Sequence, residues 1–498
     1  MKLNGDTLSY RLGDFSGKED RVLGDVLKKM PGIEVAPNGK ISYNGKSISN
    51  FYIDGDNLLD DRYNIATKSI PKEAVDQVQI IENDQPIKML RNKGNSDEVA
   101  LNITIKPEAR LKLMGLAKIA AGVPEKFEED VNAMMFNKKY KGINYIKSNN
   151  IGEDIAADLV SHNLIDFLNR QDDQQPKLLL STGSNSKLDL PVNRYLFNRA
   201  ALINVNNLFN IAKEAQLKTN IHYLQDKQQS EHNQFTEVYL PEANISYTEN
   251  QHTTYLPQQV FAEANLNVNK SAVYLSNTLM ATYTAKQYNV AMTSNAMTLD
   301  QMLRQKTFNI SNELNYMNTL KSGHIYNFYS FLNYRKQPEE LNIKPDFKEG
   351  LYNGGIPDEA LIQNTKIPSF STNNHLSFKK VLKGIIQTYK LGVNLQLQEL
   401  LSGLNALQSD QSISPVNFNG LNKMQWQWAS FYSEGLYEYE SKNEKLKASL
   451  TLPLSFKTIH FKDAGNILNE KLEKLYIDPR ASLKYQTGIE NYLQLTYN

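Results

Sequence analysis

The stretch LKASLTLPLSF, from Leu446 to Phe456, alternates apolar and polar side chains along most of its length. One face carries Leu446, Ala448, Leu450, Leu452, Leu454 and Phe456, and the other carries Lys447, Ser449, Thr451 and Ser455. A period of two indicates a β-strand whose two faces meet different surroundings. Roughly ten residues is the length that a tilted strand needs to cross a bilayer, whereas strands of soluble proteins are most often ~5–6 residues long.

The same alternation recurs throughout the chain after Pro107. It is found in TYKLGVNLQLQ, QLKTNIHY, TFNISNELNY and ASLKYQ, which begin at Thr388, Gln216, Thr307 and Ala481. Short polar turns occur at 139–141, 211–213, 269–271, 321–323, 380–384, 441–443 and 487–488, and long polar loops occur at 153–191 and 336–371. Short turns on one rim and long loops on the other are typical of outer-membrane barrels.

We therefore predict that residues 108–498 form a large antiparallel transmembrane β-barrel of about fifteen strands. The 27 tyrosines and 19 phenylalanines can supply aromatic girdles at the two membrane interfaces. A helical segment is expected from Ile155 to Asn169, inside a long loop. The alternative is a soluble β-sandwich or solenoid with one wet face.

The composition excludes several classes of function. The 55 basic and 54 acidic residues leave a formal charge of +1, so no global field attracts nucleic acid or an anionic membrane. The chain has no cysteine, which excludes disulfides, thiolate metal sites and thiol catalysis. No run of 18 apolar residues can form a transmembrane helix. The N-terminus has no apolar region and no cleavage site of a signal peptide.

Residues 1–107 have a different pattern and are predicted to form a small α+β domain. A helix is expected from Lys18 to Met30, ended by Pro31-Gly32, and another near Pro71 to Asp76. Strands are expected at 33–35, 40–43, 47–53, 78–82 and 100–106. Asn38-Gly39 and Asn44-Gly45 can form the tight turns between the first strands, because both tolerate the positive φ that such turns need.

Three segments resemble the plug domain of TonB-dependent outer-membrane receptors. They are LKKMPGIEVAPNGKISYNGKSISNFYIDGDNL from Leu27, IPKEAVDQVQIIEN from Ile70 and ALNITIKPE from Ala100. The matching plug-motif residues are Pro31, Gly32, Ile33, Ile53, Asp54, Gly55, Val78, Ile80, Ile81, Glu82, Asn102, Ile103 and Lys106. The sequence departs from the family where only Gly94 remains of its glycine-rich stretch, and no TonB box precedes Asp6.

The resemblance implies a plugged barrel in the outer membrane of a Gram-negative cell. Its function would be TonB-energised uptake of a scarce nutrient such as a metal chelate, a glycan or a peptide. The implied partners are TonB on the periplasmic side, outer-membrane lipid and a surface lipoprotein. Barrels of this plugged class have 22 strands, and ENYLQLTYN ends within an alternating run. We therefore expect an incomplete barrel that belongs to a fragment of a longer protein.

A non-transporting surface receptor or adhesin on the same fold is the alternative function. The sequence predicts no enzyme and no cofactor, because it contains no nucleophile elbow, phosphate-binding loop, dinucleotide fingerprint or H-E-x-x-H motif. No catalytic, cofactor-binding or metal-binding residue is assigned, and the ligand-binding residues are not identified. The acidic pairs Glu128-Glu129 and Asp172-Asp173 are interpreted as solvated strand or loop surface.

Four aspartates, Asp54, Asp56, Asp60 and Asp61, suggest a calcium loop. An EF-hand loop needs glycine at its sixth position and glutamate at its twelfth, and these positions are Leu59 and Ile65 here. We therefore interpret the group as an aspartate-rich turn.

Two further sets of side chains are interpreted by the face of the strand on which they lie. His222 lies on the polar face of its strand, so we expect it in the lumen or at the surface. Trp426 and Trp428 share one face of KMQWQWASFY, and we interpret them as part of a lipid-facing girdle. Sugar stacking inside the barrel is the alternative.

Overall fold

The computed structural model describes residues 2–36, 39–60, 62–91, 96, 98–110, 112–159, 177–183, 190–241, 244–295, 297–345, 358–382, 384–416, 421–441, 443, 445–464, 468–487 and 491–497. Its strands form two sheets, a small one from the first hundred residues and a large one from the rest.

The first sheet has seven strands in the order β1-β2-β6-β7-β5-β4-β3, and we refer to it and its helices as the plug. Its strands are β1 (Lys2–Asn4), β2 (Thr7–Arg11), β3 (Ile33–Val35), β4 (Ile41–Tyr43), β5 (Lys46–Ile53), β6 (Val75–Glu82) and β7 (Val99–Ile105). The sheet is mixed, because β5 and β7 run parallel while β6 and β7 run antiparallel. The five strands expected from the sequence are therefore confirmed, and β1 and β2 are additional.

Two short helices cover this sheet, α1 (Leu23–Leu27) and α2 (Asn64–Ser69), and Leu23, Leu27 and Ile65 are almost completely buried against it. Single 3₁₀ turns occur at Leu12–Asp14, Lys72–Ala74, Lys88–Leu90, Ile155–Leu159 and Val192–Arg194.

The helix predictions were only partly right. The helix expected over 18–30 is limited to α1. The helix expected near 71–76 is wrong, because the chain makes one 3₁₀ turn there and enters β6 at Val75, which pairs with Ile105. The 3₁₀ turn at Ile155–Leu159 is the only described part of the helical segment expected over 155–169.

The second sheet contains all remaining strands. They are β8 (Met114–Gly122), β9 (Lys126–Phe136), β10 (Tyr140–Asn149), β11 (Phe197–Asn198), β12 (Ala200–Ala212), β13 (Ala215–Gln225), β14 (Gln228–Tyr239), β15 (Asn244–Asn269), β16 (Val273–Ser294), β17 (Met297–Thr319), β18 (Ile325–Lys344), β19 (Ala360–Leu382), β20 (Ile385–Leu407), β21 (Ile413–Pro415), β22 (Asn422–Glu440), β23 (Leu446–Asp463), β24 (Leu468–Ile477), β25 (Arg480–Gln486) and β26 (Tyr492–Tyr497). All of their paired registers are antiparallel, as predicted.

These strands are arranged as in a closed barrel, and their order in the sheet follows their order along the chain. Paired registers connect them from β8 to β26. Among the described residues no paired register connects β26 to β8, so the hydrogen bonds between these two strands are not described.

The described residues form nineteen barrel strands, more than the fifteen expected, in part because short strands such as β11 and β21 pair with the long ones. The longest strand, β15, has 26 residues and pairs with β14 along its first half and with β13 along its second half. Strands of this length extend well beyond a bilayer, which ~9–11 residues can cross. For the same reason the long loop predicted at 336–371 is wrong, since β18 runs on to Lys344 and β19 starts at Ala360.

The two faces of the barrel wall are distinguished by their contacts with the plug. Lys141 and Lys218 bind plug carboxylates, so their side of β10 and β13 faces the lumen. Directly opposite residues in a ladder project to the same face, and the paired registers therefore identify the lumen face of each strand in turn. On β23 the lumen face carries Thr451, and the outer face carries Leu450, which is 41% exposed. No helix in the described part of the chain is long and apolar enough to cross a membrane.

Candidate functional site in the lumen

The plug contacts the barrel wall unevenly. On one flank its core continues into apolar lumen-facing residues of the wall, among them Met134, Phe136, Ile143, Leu202 and Leu224. On the other flank, along β13 to β18, a cavity of about 1550 Å³ separates the plug from the wall. We refer to this cavity as the chamber. The plug is therefore packed on one side and bordered by open space on the other.

The chamber is lined by charged side chains of both signs, among them Asp84, Arg91 and Glu313, and by many amide and hydroxyl side chains. From the wall these include Asn265, Asn267, Asn309, Ser311, Asn315 and Asn333, and from the plug Asn50, Asn57 and Asn102. Such groups can donate and accept hydrogen bonds without imposing a charge. The surface therefore suits a polar ligand of either charge or of none.

The turn after β5 projects towards the wall and is held by the end of the neighbouring strand. Asp54 and Gly55 both have positive φ, at 48° and 79°. The Gly55 amide donates to Asn102 Oδ1 at 2.9 Å, and Asn102 Nδ2 donates to Gln79 Oε1 at 2.7 Å. An Asp54 oxygen accepts the Ile105 amide at 3.0 Å. Four of the motif positions, Ile53, Asp54, Gly55 and Asn102, are thus brought together in one turn.

The aspartates of this turn region bind lysines of the wall. Asp56 Oδ2 lies 2.5 Å from Lys141 Nζ, which also donates to the Ile53 carbonyl at 2.6 Å. Asp60 forms an ion pair with Lys218. Both lysines are more than nine-tenths buried beside the plug, so each ammonium group needs a plug aspartate to compensate its charge while the plug is in place. The sequence interpretation of these aspartates as a plain turn missed this role, because the partner lysines are distant in sequence.

A third ionic contact joins the plug, the wall and the loop after β10. Asp158 lies 2.5 Å from Lys68 of the plug and 2.7 Å from Lys147 of the wall. Burial alone would raise the pKa of the Asp158 carboxyl, but the two ammonium groups outweigh burial and hold that pKa below its ordinary value. Asp158 is therefore a charged link between three parts of the molecule.

The base of the plug is attached at the rim that carries the short turns. Lys88 Nζ lies 2.8 Å from Glu214, and the Lys88 amide donates to Asn269 Oδ1 at 2.9 Å. Asn269 Nδ2 in turn donates to the Pro86 carbonyl at 2.8 Å. Glu214 lies in the turn between β12 and β13, and Asn269 is the last residue of β15, so these bonds connect the plug to the turn rim itself.

Ile81 also lines the chamber, whereas the motif residues Pro31, Gly32, Ile33 and Glu82 lie away from it. The Tyr10 hydroxyl donates to the Pro31 carbonyl at 3.1 Å, and Ile33 is buried in the plug core. Gly32 has φ +76°, and a Cβ there would lie 2.8 Å from the Tyr43 ring. Glu82 is exposed, and its amide donates to the Asp6 carbonyl at 2.9 Å. These residues shape the plug without lining the chamber.

The predicted position of His222 is confirmed. It lies on the lumen face of β13, is almost fully buried, and stacks on Phe261 with ring centroids 4.9 Å apart. The Arg62 guanidinium of the plug lies 5.4 Å from the same Phe261 ring. Among the described residues no group of three or more histidines, aspartates or glutamates is arranged to hold a metal ion, and Asp61 lies outside them.

The prediction that Trp426 and Trp428 face lipid is wrong. Trp426 pairs with Gln398 and Trp428 with Gln396, and both glutamines are on the lumen face of β20. The outer face of β22 carries Phe431 instead, which is 57% exposed. The tryptophans lie on the part of β22 towards the long loops, where the wall has passed the bilayer and apolar side chains are no longer confined to the outer face.

A small mixed sheet held inside a large antiparallel barrel defines a plugged barrel, so the predicted fold of an α+β plug followed by a large antiparallel barrel is confirmed. The expectation of an incomplete barrel is wrong for the described strands, whose order is that of a closed barrel. This is the architecture of the TonB-dependent receptors that the sequence resembles.

The comparisons with solved structures find proteins of this kind. The ferric-catecholate import receptor Fiu from E. coli K12 is 10% identical, with 98% of this chain and 84% of that chain covered and a TM-score of 0.30. The siderophore receptor PiuA from Acinetobacter baumannii is 10% identical, with coverage of 98% and 78% and a TM-score of 0.31. The alcaligin outer-membrane receptor FauA from Bordetella pertussis is 11% identical, with coverage of 99% and 80% and a TM-score of 0.28. No protein-family model and no curated protein sequence matches the chain.

Proposed function

We propose that this protein is an outer-membrane receptor that takes up a scarce nutrient through the lumen of its barrel. The observation that carries the proposal is the unequal seating of the plug, with apolar packing on one flank and a polar chamber of about 1550 Å³ on the other. A plug that only filled the barrel would gain from apolar packing on both flanks. A chamber that runs along the plug towards the turn rim is a route that a limited displacement can open.

The charged contacts are suited to reversible displacement. The links of Asp56, Asp60 and Lys88 to the wall are local ion pairs, which break one at a time and can be replaced by water as they open. The base of the plug is attached at the turn rim, where the periplasmic partner TonB would act. A pull there breaks the exposed Lys88–Glu214 pair first.

The proposal includes a division of the chain and a set of partners. Residues 1–107 act as the plug and residues 108–498 as the barrel, with Pro31, Gly32, Ile33 and Glu82 shaping the plug and Ile53, Asp54, Gly55 and Asn102 its chamber-facing turn. The outer face of the barrel contacts outer-membrane lipid. TonB supplies the energy, and a surface lipoprotein is a further partner. The protein acts as a receptor and transporter and not as an enzyme.

The experiment locks the base of the plug to the rim. The chain has no native cysteine, so Lys88→Cys with Glu214→Cys can be bridged by a short cleavable bis-maleimide in cells of a Gram-negative host. Uptake is measured with a labelled panel of ferric chelates, oligosaccharides and peptides. We expect uptake of at least one class of compound, loss of that uptake when the two cysteines are bridged, and its recovery when the bridge is cleaved.

Either single cysteine variant is the matched control. Surface binding of a ligand without any uptake would instead support the alternative of a non-transporting receptor or adhesin.

A further inference from the structure

A short piece of the loop that follows β10 lies inside the barrel mouth, against the lumen faces of β17 and β18. This piece, residues 177–183, is called the occupying segment here, and its sequence begins KLLLS. It contacts Gln305 and Glu339, which lie towards the ends of their strands that carry the long loops. The contact is therefore on the external side of the lumen.

The wall recognises the main chain of this segment. Glu339 Oε1 accepts the Leu179 amide at 2.9 Å, and Glu339 Oε2 accepts the Leu180 amide at 3.1 Å. Gln305 Nε2 donates to the Leu180 carbonyl at 3.0 Å and to Glu339 Oε2 at 2.9 Å. One carboxylate and one side-chain amide thus satisfy three main-chain groups of the segment. Two successive amides that donate to one carboxylate form an anion-binding turn of the main chain.

The wall also supplies a pocket for one side chain. Leu180 is 8% exposed and packs with Leu303 and Leu341, with Tyr288 and Ile343 at the edge of this cluster. Main-chain bonds can supply affinity and an apolar pocket for a single side chain can supply specificity in the recognition of a peptide.

The carboxylate at the centre requires an occupant. Glu339 is 2% exposed, and its hydrogen-bond partners among the described residues are the two amides, Gln305 and the Thr365 hydroxyl, with no ion pair to any described cation. A buried carboxylate without donors is strongly unfavourable. If the occupying segment leaves, another pair of amide donors must replace it or water must enter.

We propose that this part of the wall is a binding site for a peptide that presents two successive main-chain amides and an apolar side chain, and that the occupying segment is a tethered competitor for it. The proposal names a ligand class for the receptor proposed above and rests on that function for uptake. Its binding test requires no transport, so the two can fail separately.

The test measures binding of the labelled peptide KLLLS to the full chain in detergent by fluorescence anisotropy. Leu180→Asp places a charge in the Leu303–Leu341 cluster and releases the occupying segment. We expect this variant to bind the peptide at least about tenfold more tightly than the unaltered chain. Adding Glu339→Gln should weaken that binding about tenfold, since one charged acceptor of two amides is lost. Glu340→Gln, on the outer face of the same strand, is the matched control and should leave binding unchanged.

A chemical change in the probe separates main-chain recognition from simple hydrophobic binding. N-methylation of the third leucine of KLLLS removes the donor that corresponds to the Leu180 amide and should abolish binding. A second variant that releases the occupying segment has Gly-Ser-Gly in place of Leu178–Leu180. It serves as a control in case Leu180→Asp misfolds. The proposal is overturned if neither release variant gains affinity, or if the methylated peptide binds as well as KLLLS.

Discussion

At the scale of single residues, charges at the border between plug and wall decide how firmly the plug is held. Asp158 is the clearest case, because its carboxylate contacts one lysine of the plug and one of the wall. The sequence predicted neither this contact nor the pairs of Asp56 and Asp60. Each joins residues that are far apart along the chain, and local patterns carry no information about such pairs.

Asp158 should make attachment of the plug sensitive to acid. Its folded pKa is depressed, so its stabilising effect is present above the unfolded pKa of about 3.9 and is lost as pH falls through the folded value. We expect the urea midpoint for protease cleavage of the plug to fall below about pH 4. Asp158→Asn should lower this midpoint already at pH 7, with a loss of about 3 kcal/mol in the free energy of plug attachment, because the buried Lys147 loses its main partner. A midpoint that Asp158→Asn leaves unchanged at pH 7 would contradict this role.

The two faces of β23 should differ sharply in their tolerance of charge. Leu450→Arg places a cation in lipid and should cost ~2–4 kcal/mol near the midplane of the bilayer. Thr451→Arg, on the lumen face, should cost far less. The measurement is the free energy of unfolding of the two variants in lipid vesicles. Equal losses would mean that this strand does not face lipid.

At the scale of elements, alternation predicted the strands well but not always their orientation. LKASLTLPLSF has one purely apolar face, which must be the outer one where it crosses the bilayer. KMQWQWASFY has glutamines on one face and tryptophans on the other, and it lies where the wall has passed the bilayer. There the rule that apolar side chains face lipid no longer applies. The registers with β20 were needed to place Trp426 and Trp428 in the lumen.

The orientation of the tryptophans can be checked by fluorescence, because the chain has only these two. In vesicles that contain brominated lipids, we expect little quenching of their emission. Acrylamide, which enters the lumen from water, should quench strongly. Phe431→Trp in a chain with both tryptophans changed to Phe is the control for the outer face and should show the reverse. Strong quenching by brominated lipid in the unaltered chain would restore the girdle interpretation.

At the scale of the whole molecule, the sequence predicted two units because mixed short elements give way to long alternating strands near Pro107. Turn residues and motif order were enough for five strands of the plug sheet, since its turns require positive φ at Asn44 and Gly45, but they did not predict β1 and β2. The chamber could not be predicted. Its shape depends on which flank of the plug meets apolar wall residues, and that is a property of the packed molecule alone.

The plug should fold by itself. Most of its buried core comes from its own strands and helices, so residues 1–107 expressed alone should be water-soluble and give a mixed α and β circular dichroism spectrum. A fragment that dissolves only in detergent would show that the plug depends on the wall for its structure.

The most direct measurement of the central claim, a plug held in the lumen by its aspartates, is a cross-link between Asp60→Cys and Lys218→Cys in the membrane-embedded chain. These two side chains form an ion pair across the border of plug and wall. A short bis-maleimide should bridge them in high yield, and mass spectrometry should find the linked peptides. The pair Glu82→Cys and Lys218→Cys, with Glu82 exposed away from the chamber-facing turn, should remain unbridged. No bridge at Asp60 and Lys218, or equal bridging of both pairs, would contradict the structure described here.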